Sequence, residues 1–378
     1  MAEPSTTLSF PGFVDVHVHF RDPGMTEAET TASGLAAAAR GGFAAVVTMP
    51  NTMPACDSPE AIRRQVEVKS KGEGEQRTLL FPSACITKGR AGKEVADLES
   101  LAEAGAAFFT DDGSYVADDK VMEAAMNRSA ALNMVVCQHA MDPLEQKGGV
   151  IRDCALARKL NLPVISVETE TKAIRRDLSL CRETGCRLHI QHISTAAGVA
   201  LVRDAQREGL PVTAEATPHH LLLSCDDLVA DDANFKMAPP LGNREDRAEL
   251  RKAVKDGVLM FATDHAPHPA AKKSLGFLKS ANGIIGLETA IPITYAVMVE
   301  EEGMSVEKWA EAWWKMPRWL LNANLANSTN RANEWPATKI EIGEEHVVDV
   351  NSFASLSRNC PYHGMKFKCW PTSLVKMV

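Results

Sequence analysis

Two histidines two residues apart, His17 and His19, stand at the end of a short apolar run, Phe13–Val18. If that run is a β-strand, both imidazoles leave it on the same side, because side chains two residues apart share a face. Groups of the same chemical kind recur downstream: Asp111 and Asp112, His139, His192 and Asp264. Four imidazoles with carboxylates make a nitrogen–oxygen donor set suited to Zn2+, one ion or two. Zinc lowers the pKa of bound water to about 7, which makes hydroxide available at neutral pH. A second zinc, bridged by hydroxide and a carboxylate, would add a Lewis acid to polarise a carbonyl. Asp264, touching both metal and water, could then take the water proton and pass it to a leaving nitrogen. The reaction class is hydrolysis, or reverse cyclisation, of an amide-like bond.

Each of these residues alone has a plainer reading. An isolated HxH is more often accidental than metal-binding. His139 or His192 alone would be a satisfied buried histidine, and Asp264 after Thr263 could cap a helix. Their common position along the chain argues otherwise. Short β-rich runs over Phe13–Val18, 44–49, 79–83, 106–110, 134–138, 187–191, 211–215 and 258–263 alternate with amphipathic stretches. Those stretches, at 26–40, 58–71, 92–104, 118–132, 196–208 and 244–255, read as helices. Strand–helix alternation implies right-handed crossovers and a parallel sheet, and eight repeats predict closure into a (β/α)8 TIM-like barrel. A doubly wound sheet would need a Gly-rich turn after its first strand, where this chain has HVHFRDPG.

On that map His17 and His19 end the first strand, Asp111 and Asp112 follow the fourth, His139 the fifth, His192 the sixth and Asp264 the eighth. All lie at C-terminal strand ends, the face where barrel enzymes build their sites. His189, His346 and His363 do not fit the set and are read as structural. The barrel is placed at residues 10–322. The stretches 226–242, 267–283 and 322–337 read as loops. The tail 338–378, with its alternating KIEIGEEHVVDV, predicts a small β-rich subdomain that residues 1–9 could join.

Bulk properties narrow the function classes. The chain has 378 residues, 45% of them hydrophobic, enough for one large core. A formal net charge of -8 argues against a nucleic-acid partner. No run approaches the roughly 18 apolar residues that span a bilayer, so no membrane association is expected. The N-terminus lacks the basic start and apolar stretch of a signal peptide. Nine scattered cysteines without a CxxC pair read as reduced thiols in a cytoplasmic protein.

The segments PGFVDVHVHFRDPG, MPNT, ITKGRAGKEVADL, FTDDGS, HIQHIS, TPHHLLLS, FATDHAPH and GIIGLETA run in order through nearly the whole chain. In them the sequence closely resembles the dihydroorotase family of the amidohydrolase superfamily. The resemblance implies that His17, His19, His139, His192 and Asp264 are metal ligands. Many cyclic amidohydrolases carry a carboxylated lysine after the fourth strand; FTDDG here resembles the bacterial branch that uses an aspartate. That likeness assigns the bridging role to Asp112 rather than Asp111. It also makes Arg21 and Asn51 holders of the substrate carboxylate, a task that suits a guanidinium fork, and His268 a further substrate contact. The implied reaction is reversible cyclisation of N-carbamoyl-L-aspartate to L-dihydroorotate in pyrimidine biosynthesis.

Three departures from the family pattern stand out. A segment usually reading NPPLR is APPLG, so Ala238 and Gly242 replace an Asn and an Arg. Loss of a neutral hydrogen bond to substrate from that Asn would cost on the order of 1 kcal/mol. A segment usually reading NP is Met316-Pro317, a change expected to touch packing rather than chemistry. Only 16 residues precede His17, fewer than relatives carry, which is expected to leave the β subdomain mainly to the tail, exposing a sheet edge or calling for a partner subunit. Two rival readings follow. One is another cyclic amidohydrolase, a hydantoinase or allantoinase, although those resemble the lysine-bridged pattern. The other is a non-catalytic dihydroorotase-like subunit of an aspartate transcarbamoylase complex, although such homologues lose ligands that this chain keeps. A homodimer is compatible with either.

Overall fold

The computed structural model describes residues 5–68, 78–321 and 335–375. Its eight barrel strands are β2 (Phe13–Val18), β3 (Phe43–Thr48), β4 (Leu79–Pro82), β5 (Phe109–Thr110), β6 (Val135–Gln138), β7 (Arg187–Ile190), β8 (Val212–Ala216) and β9 (Met260–Phe261). All pair in parallel, β2–β3–β4 on one arc and β5 through β9 on the other. Single bridges at Ala84–Phe109 and Val18–His265 join the arcs and close the (β/α)8 barrel that the alternation predicts. The observed strands fall within or beside the predicted runs and several are shorter, because ladder bonding stops where the chain turns into the site loops.

Two apolar layers hold the barrel. Inside it Val14, Val16, Ala45, Val47, Phe81, Phe108, Val135, Cys137, Met260 and Ala262 interdigitate, joined by Leu320 and Leu321 at the end of the last barrel helix and by Trp335 beyond it. Met316 packs against this inner cluster, so the Met-Pro departure does lie in packing. A larger cluster fills the space between strands and helices. Its anchor is the helix Val306–Leu320, which buries Trp309 against Phe13 and Trp313 against Phe43 and Phe261, on first, second and last barrel strands. Both indole N–H groups donate to Thr294 Oγ1 at 3.1 Å, so neither burial leaves a donor unmet. Truncating either tryptophan to alanine would cost about 3–5 kcal/mol.

Helix starts follow local capping. The predicted helix 26–40 begins at Thr31, because Thr30 and Ser33 form a reciprocal capping box. Residues 26–28 form a turn instead and 29–30 are irregular, which frees Glu29 for a buried role described below. The predicted helix 92–104 is helical only over Leu98–Glu103, where Asp97 caps it. The helix predicted at 58–71 is seen as Pro59–Val68, and residues 69–71 lie outside the described residues, as does most of the predicted loop 322–337. The 17-residue helix Glu168–Thr184 was not among the expected elements.

β10 (Ala337–Val347) and β11 (Lys366–Val375) pair antiparallel, and β1 (Thr6–Phe10) adds to the free side of β10. The small sheet is thus three-stranded, with an N-terminal strand beside the two tail strands. Ile340, Phe367 and Cys369 belong to the same apolar cluster as the barrel helices. The chain between β10 and β11 runs back to the barrel mouth, where Ser355, Ser357 and Asn359 are buried. Among the described residues no helix is long and apolar enough to cross a membrane.

Candidate active site

Backbone geometry at the strand ends decides which side chains face the barrel axis. On β2, Val14 and Val16 point inward, so strict alternation would turn His17 outward. A register irregularity between Asp15 and Val18 resets the phase, and His17 and His19 both enter the site. Asp15 secures that shift by accepting from Thr263 N at 3.0 Å and Thr263 Oγ1 at 2.5 Å. After β5 the inward series is Phe108, Thr110 and Asp112. Asp111 therefore points away and accepts from Ile86 N, Thr87 N and the Thr87 hydroxyl. His139 continues the inward parity of Val135 and Cys137. His192 follows the inward Gln191 and would face out, but a φ of +35° turns it. Asp264 sits at φ +47°. Left-handed conformations at non-glycine residues cost roughly 1–3 kcal/mol each and mark positions held by their surroundings.

The six residues meet around Asp112. Its Oδ1 lies 3.4 Å from His17 Nε2, from His139 Nδ1 and from His192 Nε2, and its Oδ2 lies 3.3 Å from His19 Nε2. Asp264 Oδ1 is 3.0 Å from His19 Nε2 and 3.5 Å from His17 Nε2. Three overlapping groups could hold a metal ion: His17, His19 and Asp112; His17, His192 and Asp264; Asp112, His139 and His192. Asp112 is shared between the first and third groups, as a carboxylate bridging two ions would be. His17 Nε2 and Asp112 Oδ1 are buried without any hydrogen-bond partner. Orphaned polar atoms of that kind are costly unless something else satisfies them, and a divalent cation between these donors would. The residues present fit a metal.

The electrostatics agree. Burial works against the Asp112 carboxylate, yet His17, His139 and His192 hold it well below the usual carboxylate range. Asp264 is likewise held low, His17 and His19 outweighing burial. Burial opposes a charged His17, but Glu215, Asp112 and Asp264 drive its pKa well up. Two ionised carboxylates thus demand positive charge at their centre. Glu215 was not anticipated. It shares the inward parity of Thr213 on β8 and accepts from His17 Nδ1 at 2.5 Å and His189 Nε2 at 2.9 Å. Burial notwithstanding, His17 keeps it ionised, with a pKa of about 2. A carboxylate behind a ligand-type histidine fixes the tautomer that leaves Nε2 free as a donor to metal. Gln191 Nε2 lies 3.3 Å from the same Nδ1. His189 therefore lies behind the cluster, while His346 is on the small sheet and His363 beside Asp349.

Above the cluster opens a cavity of about 320 Å³. Arg21, Asn51 and His268 line it together with His19, Asp112, His139, His192 and Asp264. Asn51 Oδ1 is 3.0 Å from His19 Nδ1. Arg21 Nε donates to Pro267 O at 3.2 Å, and its Nη2 is 3.4 Å from His268 Nε2. Burial and the nearby Arg21 push His268 down to about 3, so it is neutral. Its Nε2 is 2.7 Å from Asn282 O. Ala238 also lines the cavity, which puts the Asn-to-Ala departure at the site itself. Gly242 lies behind, where a Cβ would meet Ser194 O at 2.7 Å and Asp246 Cβ at 2.6 Å. Arg90, Gly113, Met141, Gln146, Met237, Ala266 and Asn282 complete the lining. None of them was singled out from sequence; they sit in loops, turns and the end of the short helix Pro143–Gln146, where no periodicity reports which way a side chain points.

Comparison with known proteins adds identity to this geometry. A family model described as Dihydro-orotase-like matches residues 6–197. A dihydroorotase of Geobacillus sp. (strain WCH70) is 42% identical over 95% of this chain and 84% of its own length. One from Anoxybacillus flavithermus is 40% identical over 97% and 85%. Among solved structures, the L-hydantoinase of Arthrobacter aurescens superposes with a TM-score of 0.79 at 24% identity, covering 98% of this chain and 84% of that one. That last likeness is one of fold, an amidohydrolase barrel. With an inward aspartate where the fourth barrel strand ends, histidines around it and relatives at this identity over nearly its full length, the chain belongs to the dihydroorotase family of cyclic amidohydrolases.

Proposed function

We propose that this enzyme interconverts N-carbamoyl-L-aspartate and L-dihydroorotate with Zn2+ as its resident metal, one ion or two. The observation that carries the proposal is Asp112, shared between a His17/His19 group and a His139/His192 group beneath a cavity that presents Arg21. His17, His19, Asp112, His139, His192 and Asp264 are the proposed ligands. Zinc bound there supplies Lewis acidity, which polarises a carbonyl and acidifies water.

The chain's own groups do the rest. Arg21 has no carboxylate within ion-pair distance among the described residues, and its Nε is anchored on Pro267 O. Its remaining N–H groups are therefore available to a substrate carboxylate, with Asn51 and neutral His268 on either side. Asp264 lines the cavity and is ionised, so it can accept a proton. In ring opening, a bond forms between water oxygen and the ring carbonyl carbon while the carbon–nitrogen bond breaks. Asp264 takes the proton from that water and delivers it to the departing nitrogen. Ring closure retraces the path from the protonated carboxyl group. The carbon–nitrogen bond forms as the bond from carbon to the carboxyl hydroxyl breaks, and Asp264 carries the proton from the carbamoyl nitrogen to that hydroxyl, which leaves as water.

The proposal extends to setting. All nine cysteines are free and buried, which supports a reducing, cytoplasmic location. A homodimer and a complex with aspartate transcarbamoylase are the partners proposed; Ala238 in the cavity lining supports the second, since a site short of one polar contact gains from a partner that orders its loops. The test is to assay purified, metal-quantified protein for dihydroorotate hydrolysis and carbamoyl-aspartate cyclisation, with and without aspartate transcarbamoylase. Turnover of both compounds is expected. No turnover in either state with metal bound overturns the proposal, and turnover of hydantoin or allantoin alone reassigns the substrate.

A further inference from the structure

Arg90 stands in the turn 88–91, left-handed at φ +57°, a backbone conformation that a long side chain adopts only when its surroundings require it. Its guanidinium is held from one side. Nη2 donates to Asp112 O at 2.7 Å and Ser114 Oγ at 3.0 Å, and Nε reaches Asp111 O at 3.4 Å. Nη1 has no partner among the described residues, and no carboxylate lies within ion-pair distance of the group. Yet Arg90 lines the same cavity as Arg21, which is equally unpaired. Two guanidinium groups without a direct ion-pair partner around one cavity of about 320 Å³ leave charged N–H donors that an anionic occupant would satisfy.

Gly113 shows how that occupant is admitted. It too is left-handed, at φ +74°, and a Cβ there would sit 3.2 Å from Arg90 Nη2 and 3.5 Å from Asn51 Nδ2. A side chain would fill the gap between these two donors; glycine keeps it open. Asn51 spends its oxygen on His19, which leaves Nδ2 for that gap.

We propose that Arg90 is a second substrate-binding cation, which with Asn51 across Gly113 grips the substrate carboxylate from the side opposite Arg21. The inference rests on the dihydroorotase reading above and deepens it. A ring bearing a carboxylate satisfies both cations, whereas a neutral ring of the hydantoin kind leaves both without an ion-pair partner. Arg90 is therefore a determinant of selectivity for acidic rings.

The test uses the metal-loaded enzyme with orotate, a planar ring carboxylate, as competitive inhibitor. R90Q keeps an amide to donate to Asp112 O but removes the charge. Its inhibition constant for orotate should rise at least tenfold, and kcat/KM should fall by one common factor in both directions, mainly through KM. Metal content and melting temperature should stay at wild-type values. R90K, which keeps the charge and loses the fork, should weaken orotate by about three- to tenfold. Orotate inhibition within twofold of wild type in either folded variant overturns the proposal. So does an R90Q that loses metal or kcat with orotate binding unchanged, for then Arg90 only holds Asp112. Wild-type enzyme that neither binds orotate nor turns over either compound would instead sink the functional reading itself.

Discussion

The floor of the cavity and its outer wall are held in different ways. On the floor, His17, His19, Asp112, His139, His192 and Asp264 come from strand ends, aimed by strand parity or by a local backbone irregularity where the strand stops. The wall, 266–268 and 282–283, is a loop fixed by residues far away in sequence. Asn359 accepts from His268 N at 3.1 Å and donates to Ala266 O at 2.9 Å and Gly283 O at 3.0 Å. Lys273 Nζ donates to Lys236 O, Ala281 O and Gly283 O at 3.3, 3.0 and 2.8 Å. The tail segment that carries Asn359 is itself docked by buried carboxylates: Glu288 accepts from Ala354 N and Ser355 N, and Glu29 from Leu356 N and the Ser355 hydroxyl. Barrel periodicity builds the floor, whereas long-range clamps build the wall. Metal binding should therefore depend on the first and substrate affinity on the second.

The largest effects belong to the floor. Asp264→Ala should lower turnover by about 10³-fold with the fold intact, the scale of losing a proton carrier that also touches the metal site. Retained activity would refute the shuttle. Asp112→Asn should empty the site, seen as loss of bound zinc, because the carboxylate that four histidines surround is gone. Its neighbour gives the contrast: Asp111→Asn should keep zinc and lose stability by about 1–3 kcal/mol, since it breaks the clasp on Ile86 and Thr87. If both variants lose zinc equally, opposite orientation of the two aspartates is wrong.

A smaller effect tests the wall. Asn359→Ala removes three buried hydrogen bonds that fix His268 and Gly283. We expect a rise in KM of about tenfold, with zinc content unchanged. Loss of zinc in this variant would break the separation between floor and wall.

The same division explains what was legible in the sequence. Alternation and strand–helix repetition suffice to place His139 and Asp264 at strand ends, because those features are local. The same alternation misplaces the reason for His17: its inward direction comes from the irregularity between Asp15 and Val18. His192 depends on a positive φ that no pattern signals. Inward parity separates Asp112 from Asp111, once Phe108 is known to face inside, and the same parity on β8 could have found Glu215. Arg90, Asn359 and Lys273 carry no local signal at all. Their partners are mainly backbone groups brought together by the finished fold, 91 residues apart in the case of Asn359 and the His268 N–H.

Lys273 offers the finest probe of the wall. Burial and the neighbouring Lys236 ammonium push its pKa down to about 7, far below that of a lysine in the unfolded chain. Between about pH 7 and 10 the unfolded state therefore binds the proton more tightly, and folding releases it. Linkage then makes stability rise with pH across that window, by at most about 1.4 kcal/mol per unit, a gradient that Lys273→Met lacks. Wild type should gain in melting temperature relative to Lys273→Met as pH climbs from 7 to 9. Three carbonyls around the ammonium resist its loss, so the gain should be a few degrees at most. A wild type that gains nothing on Lys273→Met across this window would mean that the carbonyls offset burial and that the clamp works as a fixed cation.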